Sequence, residues 1–133
     1  KQLVLAVEPQ CGLPADLEIV SKQTSQDLGC APRLLVAGRL SKWRLSLSHT
    51  AQHFAACLAV EDSLVPGIDL VEHSELNPSQ FRFWLSEAEQ QQLAKLPADN
   101  DVIRGALARL WSGKEAAFKT LPDATAFQPQ RVE

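Results

Sequence analysis

The chain has 133 residues, of which 45% are hydrophobic and 22% are charged, so we expect a single domain with a substantial apolar core. Its net charge of -3 excludes the overall basic field that non-specific binding to nucleic acid needs. No apolar run approaches the roughly 18–20 residues of a membrane-spanning helix. The 3 cysteines fit no metal or disulfide spacing and favour a reducing, cytoplasmic setting.

Short strands are predicted along the N-terminal half of the chain. Apolar or alternating runs, separated by Gly, Pro and polar breakers, predict strands at residues 3–7, 16–21, 34–37, 43–49, 54–61 and 64–72. Within the run 43–49, alternation puts Trp43 and His49 on the inward face of the sheet and Ser48 on the opposite face. The pair Asp62-Ser63 predicts a tight turn between the last two strands.

The C-terminal half changes to a helical period. Asn77-Pro78 is a helix start signal, and the sequence 86–89 (Ser-Glu-Ala-Glu) predicts a capping box that opens a helix ending near Leu96. A longer helix is predicted from a cap at Asn100 or Asp101 to about Leu121. Strands followed by helices predict one α+β domain over residues 1–133, in which an antiparallel sheet packs on a long helix. Residues 1–63 would supply most of the strands, and residues 64–133 a further strand and the helices.

The long predicted helix carries charges where a structural helix carries Ala or Leu. On a helical wheel, Lys114 falls in the middle of the apolar stripe that includes Leu107 and Leu110. Glu115 and Lys119 lie on the margin of that stripe, so two cations and a carboxylate cluster together. This pattern indicates a functional site, whereas the alternative is a snorkelling lysine beside an ordinary ion pair between Glu115 and Lys119.

A second unusual carboxylate, Asp69, interrupts the apolar run 64–71. A buried carboxylate must be paired, hydrogen-bonded or bound to a metal, and Gly67 before it allows another backbone or a ligand to approach closely. The alternative is an edge-strand aspartate that faces water. Asp69 and Glu115, without Cys or His ligands, would suit Mg²⁺ rather than Zn²⁺. The cations Lys114 and Lys119, together with His49, would suit phosphate oxygens.

Four ordered segments resemble the signature blocks of the 4'-phosphopantetheinyl transferases. They are residues 46–50 (SLSHT), 66–72 (PGIDLVE), 81–89 (FRFWLSEAE) and 110–119 (LWSGKEAAFK). Residues 29–34 resemble that family's G-x-P segment, although the match is inexact. The resemblance implies the fold of this family, and with it holo-acyl-carrier-protein synthase activity.

What the resemblance implies about function can be placed on individual residues. Asp69 and Glu115 would hold Mg²⁺ on the pyrophosphate of coenzyme A. The phosphates would be bound by four residues, which are Ser48, His49, Lys114 and Lys119. The implied reaction transfers the phosphopantetheine arm to a serine of an acyl or peptidyl carrier protein and releases adenosine 3',5'-bisphosphate. Glu115 or a metal-bound water would deprotonate that serine. Lys119 would be the second catalytic residue.

Two departures from the family pattern bear on that expectation. Larger members carry an acidic third ligand two residues after the Asp, where this chain has Val71; Glu72 follows instead, and strand alternation would point it away from Asp69. The chain also begins without Met and ends soon after Lys119, which suggests a fragment that pairs with a missing segment or with another subunit. The alternative function is a coenzyme A or nucleotide-binding or interaction domain without catalysis.

Overall fold

The computed structural model describes residues 16–20, 31–81, 83–121 and 127–132. Over these segments the chain forms four strands followed by three helices, which confirms the α+β prediction. The strands are β1 (Leu17–Val20), β2 (Arg33–Val36), β3 (Arg39–His49) and β4 (Phe54–Ala59). The helices are α1 (Pro78–Phe81), α2 (Glu87–Leu93) and α3 (Asn100–Phe118), with short 3₁₀ turns at His73–Glu75 and Pro129–Arg131. The strand predicted at residues 3–7 lies outside the described residues.

The four strands form one antiparallel sheet in the order β1-β2-β3-β4. β2 and β3 are joined by the two-residue turn Ala37-Gly38, whose φ angles are 50° and 72°. Two consecutive positive φ angles are what a type I′ hairpin turn requires, and glycine adopts them without strain. The long strand β3 runs through the middle of the described sheet, so its side chains contact neighbours on both sides.

The prediction of a strand at residues 64–72 is wrong. These residues, called here the 64–72 segment, form no strand, although a turn does precede them, with the N–H of Leu64 donating to the carbonyl of Glu61 at 3.1 Å. The segment is held by side chains: Ser46 Oγ accepts the N–H of Ile68 at 3.1 Å, and Ser48 Oγ accepts that of Leu70 at 3.0 Å. Because Pro66 has no N–H to donate, the segment is poorly suited to a regular ladder.

Helix α3 approaches the 64–72 segment at Gly67. A Cβ on Gly67 would lie 2.0 Å from the carbonyl oxygen of Ala116, which is far inside van der Waals contact. Only a residue without a side chain allows this spacing, as the sequence predicted. The close packing brings the last turns of α3 against the residues that follow Gly67.

The helix boundaries follow the predicted signals closely. The capping box at α2 is confirmed, because Ser86 Oγ accepts the N–H of Glu89 and the Glu89 carboxylate accepts the N–H of Ser86. α2 ends at Leu93, earlier than predicted. After Ala94 the next two backbone N–H groups donate to carbonyls three residues back, as in a 3₁₀ turn, rather than four residues back. Asp99, rather than Asn100 or Asp101, caps α3. α3 ends at Phe118, three residues before the predicted Leu121.

The helical part of the molecule packs around two buried leucines. Leu85 and Leu107 are 5% and 2% exposed, and half-buried apolar side chains surround them, among them Trp84 and Trp111. α3 contacts α1 and the turn His73–Glu75, and its last turns pack against the 64–72 segment at Gly67. No helix among the described residues is long and apolar enough to span a membrane.

Candidate functional site

The candidate site is centred on the carboxylate of Asp69. Its Oδ1 atom accepts two hydrogen bonds, from Ser48 Oγ at 2.9 Å and from Lys119 Nζ at 2.8 Å. The Asp69 side chain is only 10% exposed, so its charge needs such partners. Three separate parts of the chain therefore meet at one oxygen atom: β3, the 64–72 segment and the C-terminal end of α3.

Lys119 ties these three parts together. Besides Asp69, its ammonium donates to the carbonyls of Leu47 at 3.3 Å and Ile68 at 3.0 Å. An ammonium has three protons, so all three have acceptors in this arrangement. The Lys119 side chain as a whole is 28% exposed. The sequence prediction that Asp69 and Lys119 belong to one cluster agrees with this geometry.

Glu115 lies one helical turn before Lys119 and is electrostatically coupled to the same cluster. Burial raises the pKa of the Glu115 carboxyl, the negative charge of Asp69 raises it further, and the positive charge of Lys119 partly offsets both effects. A carboxyl whose pKa is raised by burial and by a second carboxylate is a common feature of sites that receive a cation or a proton.

The donor set of this cluster fits a hard divalent cation. Mg²⁺ is commonly held by one or two carboxylates, with substrate phosphates and water completing its coordination, and Asp69 and Glu115 are two such carboxylates. No group of three or more His, Cys, Asp or Glu side chains suited to a metal occurs in the part of the chain that the structure describes. A bound substrate and water are the further oxygen ligands that Mg²⁺ commonly takes at such a site.

A cationic cavity of about 600 Å³ lies beside Lys119. Three further basic side chains line it, namely Arg33 from β2 with Lys42 and Arg44 from β3. Arg33 and Arg44 are directly paired across the two strands. Trp43 and Pro66 are among the other residues that line the cavity. Such a cavity can accept a ligand that carries several negative charges and a flat ring.

The predicted faces of β3 need correction. Ser48 was expected on the face away from the core, yet it is buried at 9% exposure and contacts Asp69. His49 was expected to point inward and is instead exposed, with its ring stacked on Phe54 at 6.5 Å between centroids. The alternation itself is correct, and the face that carries Leu45 is covered as predicted, since Leu45 is 6% exposed. The opposite face is covered as well, because the 64–72 segment lies over Ser46 and Ser48. The structure thus gives His49 no contact with the Asp69 cluster.

Lys114 also lies apart from the Asp69 cluster. It is buried at 4% exposure, as its place in the apolar stripe predicted. Its ammonium forms an ion pair with Glu89 at 2.9 Å and donates to the carbonyls of Pro129 and Val132. All three protons are engaged by α2 and the C-terminal turn, so the geometry gives Lys114 a structural partner set rather than a phosphate.

Some residues of the site escaped the sequence analysis. The basic side chains of the cavity were not singled out, although Lys42, Arg44, Ser46 and Ser48 recur at every second position of one strand. Ser46 was read only as a polar position, whereas it anchors the backbone of Ile68. Regular alternation of polar side chains along one strand was the available signal, and it indicates a second covered face.

Comparison with known proteins gives one match. The model of the 4'-phosphopantetheinyl transferase superfamily matches residues 66–133, slightly more than half of the chain. The matched region includes Asp69, Glu115 and Lys119, while Ser48 and the other basic residues of the cavity, Arg33, Lys42 and Arg44, precede it. No curated protein and no solved structure matches the chain significantly.

Proposed function

The chain belongs to the 4'-phosphopantetheinyl transferase superfamily, and on this premise we propose that it transfers the 4'-phosphopantetheine group of coenzyme A to a serine of an acyl or peptidyl carrier protein. The observation that carries the proposal is the contact of Asp69 with Lys119, together with Glu115 lying near enough for both charges to act on its carboxyl. These three residues come from two distant parts of the sequence, and each lies inside the region matched by the family.

The proposed reaction is a displacement at phosphorus. The serine hydroxyl oxygen attacks the phosphorus that bears the pantetheine arm, and the bond from that phosphorus to the bridging oxygen of the pyrophosphate breaks. Adenosine 3',5'-bisphosphate leaves with the electron pair of that bond. Mg²⁺, held by Asp69 and Glu115, would neutralise the charge that develops on the pyrophosphate oxygens.

The protein side chains have separate roles in this proposal. Glu115 would take the proton of the serine hydroxyl, because it is the second carboxylate of the site beside Asp69 and Lys119. Lys119 keeps a cation beside Asp69, and its positive charge would attract the pyrophosphate; a direct hydrogen bond to a phosphate oxygen would need one of its three present bonds to be released. Asp69 anchors the cation site to the 64–72 segment.

The cationic cavity supports coenzyme A as the donor. Arg33, Lys42 and Arg44 surround a space adjoining Lys119, so a molecule that reached Asp69 with its pyrophosphate could extend its remaining phosphate towards them. Trp43 offers an apolar surface for the adenine ring. From the sequence, the phosphates were expected at Ser48, His49, Lys114 and Lys119, and the three basic strand residues were not singled out.

A coenzyme A-binding domain without catalysis is the second candidate. It is favoured by the ion pair between Lys119 and Asp69, which already neutralises one of the two carboxylates. Val71 stands at the position where larger relatives were expected to supply a third acidic ligand. Such a domain would keep its affinity for coenzyme A and leave carrier serines unmodified.

Intact-mass spectrometry of an apo-carrier protein, incubated with the chain and coenzyme A, tests the proposal. A gain of one phosphopantetheine arm with Mg²⁺, and none with EDTA, is the expected result. Asp69→Asn and Glu115→Gln should each lower the rate by at least about a hundredfold, as loss of a general base or a metal ligand does. Glu87→Gln, which changes an exposed carboxylate on α2, is the matched control and should retain the rate.

Two outcomes would count against the transferase. Coenzyme A binding by titration calorimetry, together with no mass gain on several acyl and peptidyl carrier proteins, would favour the domain without catalysis. Full transfer by both carboxylate variants in Mg²⁺ would remove Asp69 and Glu115 from the mechanism.

A further inference from the structure

The hydrogen bonds of Ser48 have a fixed direction. Its Oγ accepts the N–H of Leu70 at 3.0 Å, and its only proton is then directed to Asp69 Oδ1 at 2.9 Å. The serine side chain is 9% exposed, so water competes little for this proton. One hydroxyl thus fixes both the backbone just after Asp69 and the carboxylate itself.

The two carboxylate oxygens of Asp69 have different hydrogen-bond partners. Ser48 and Lys119 both donate to Oδ1, and no donor to Oδ2 occurs among the described residues. A carboxylate anchored through one oxygen keeps its rotamer and presents the other oxygen in a constant direction. Mg²⁺ demands near-ideal octahedral geometry, so such preorganisation favours its binding.

Ser46 provides an internal comparison. It lies two residues earlier on the same strand face, is buried at 4% exposure, and accepts the N–H of Ile68 at 3.1 Å. Both serines therefore hold the backbone of the 64–72 segment by the same type of bond. Only Ser48 also reaches the carboxylate of Asp69, which separates anchoring of the segment from orientation of the ligand.

From this difference we infer that Ser48 is a positioning residue for the cation site, acting through Asp69 Oδ1 so that Oδ2 is presented to a divalent cation. This inference rests on the proposed function, in which Asp69 holds the cation. It also replaces the sequence expectation that Ser48 binds a phosphate of coenzyme A, because the Ser48 proton is already given to the carboxylate.

Binding of Mn²⁺ in the presence of coenzyme A, followed by electron paramagnetic resonance, measures the cation site without relying on turnover. Mn²⁺ takes the oxygen ligands that Mg²⁺ takes. Ser48→Ala should weaken Mn²⁺ binding by about 10- to 100-fold, the usual cost of losing a hydrogen bond to a metal ligand. Ser46→Ala should bind Mn²⁺ as the wild type does, and Ser48→Thr, which keeps the hydroxyl, should restore most of the affinity.

A second measurement separates positioning from folding. The Mg²⁺ concentration for half-maximal transfer should rise in Ser48→Ala and stay unchanged in Ser46→Ala, while both variants show similar thermal unfolding midpoints. If Ser48→Ala does not fold, Ser48→Cys replaces it, because a thiol is a weak donor that keeps the side-chain volume and should give an intermediate loss of Mn²⁺ affinity.

The possible failures are distinguishable. Equal losses of Mn²⁺ affinity in the Ser48 and Ser46 variants, or no loss in either, would overturn the role of Ser48 and leave the proposed function standing. A wild-type chain that binds no Mn²⁺ with coenzyme A present would overturn the proposed cation site, and the inference with it.

Discussion

At the scale of single residues, Gly67 sets the distance between α3 and the segment that carries Asp69. Gly67→Ala would place a Cβ 2.0 Å from the carbonyl oxygen of Ala116, and backbone atoms cannot move aside as a flexible side chain can. We expect a loss of about 1–3 kcal/mol in the free energy of unfolding, as overpacking typically causes. Chemical denaturation at neutral pH measures this change.

Gly113→Ala is the matched control for that variant. Gly113 lies inside α3, and an added Cβ there meets nothing within 4 Å. Alanine favours the helix over glycine by about 1 kcal/mol, so this variant should be more stable than the wild type. Equal effects of the two substitutions would mean that Gly67 is not a packing constraint and that α3 can shift away from the segment.

The sequence revealed some site residues and misplaced others, for identifiable physical reasons. Asp69, Glu115 and Lys119 stood out because charges in apolar stretches need partners, and the structure does bring them together. The burial of Ser48 and the exposure of His49 were missed because alternation separates two faces without telling that both are covered. That information comes from the 64–72 segment, whose path depends on contacts with β3 and α3.

At the scale of elements, caps and turns were easier to predict than strand pairing. The capping box of α2 is decided within four residues, so Ser86 and Glu89 suffice to predict it. The strand predicted at residues 64–72 required a partner strand, which local sequence does not supply. Residues in the apolar run instead bond to serine hydroxyls and pack on α3, a long-range outcome that periodicity does not encode.

The buried pair Glu89–Lys114 joins α2 to α3 and predicts a pH dependence of stability. Burial alone would raise the pKa of Glu89, but hydrogen bonds from Lys114 and Ser86 and the charge of Lys114 outweigh it, so the pKa falls below its ordinary 4.5. A lowered pKa stabilises the folded state above pH 4.5, and this contribution is lost as pH falls through the folded value.

Glu89→Gln should therefore be less stable than the wild type at pH 6 and should lose less of its stability on acidification to pH 3. Urea denaturation across that range gives the free energy of unfolding at each pH. Glu87→Gln, on the exposed side of the same helix, should follow the wild-type curve. Parallel curves for wild type and Glu89→Gln would show that the ion pair with Lys114 does not contribute to acid sensitivity.

At the scale of the whole molecule, charge is unevenly distributed. The chain carries a net charge of -3, yet Arg33, Lys42, Arg44 and Lys119 surround one cavity. Arg33 and Arg44 face each other across β2 and β3, and like charges directly opposite on a sheet are destabilising. A locally unfavourable arrangement of this kind is expected where a protein binds an anion.

The double variant Arg33→Gln/Arg44→Gln tests whether this cluster binds coenzyme A. Its KM for coenzyme A should rise by about 10-fold or more, as loss of charge-assisted hydrogen bonds of about 1.5–3 kcal/mol each would cause, while kcat stays near the wild-type value. The difference in KM between the double variant and the wild type should become smaller at high salt, because salt screens the attraction between the arginines and the phosphates. Arg109→Gln removes an exposed cation of α3 that is outside the cavity lining and should leave KM unchanged.

The thermal stability of Arg33→Gln/Arg44→Gln is a second, independent test of the cluster. Because the two arginines repel each other in the absence of an anion, the double variant should unfold at the same or a higher temperature than the wild type, by the equivalent of about 0.2–1 kcal/mol. A raised KM together with unimpaired stability would mean that the cluster is kept for ligand binding at a cost to the fold. An unchanged KM, or a marked loss of stability, would instead assign the arginines to the architecture of the sheet and leave coenzyme A to be held elsewhere.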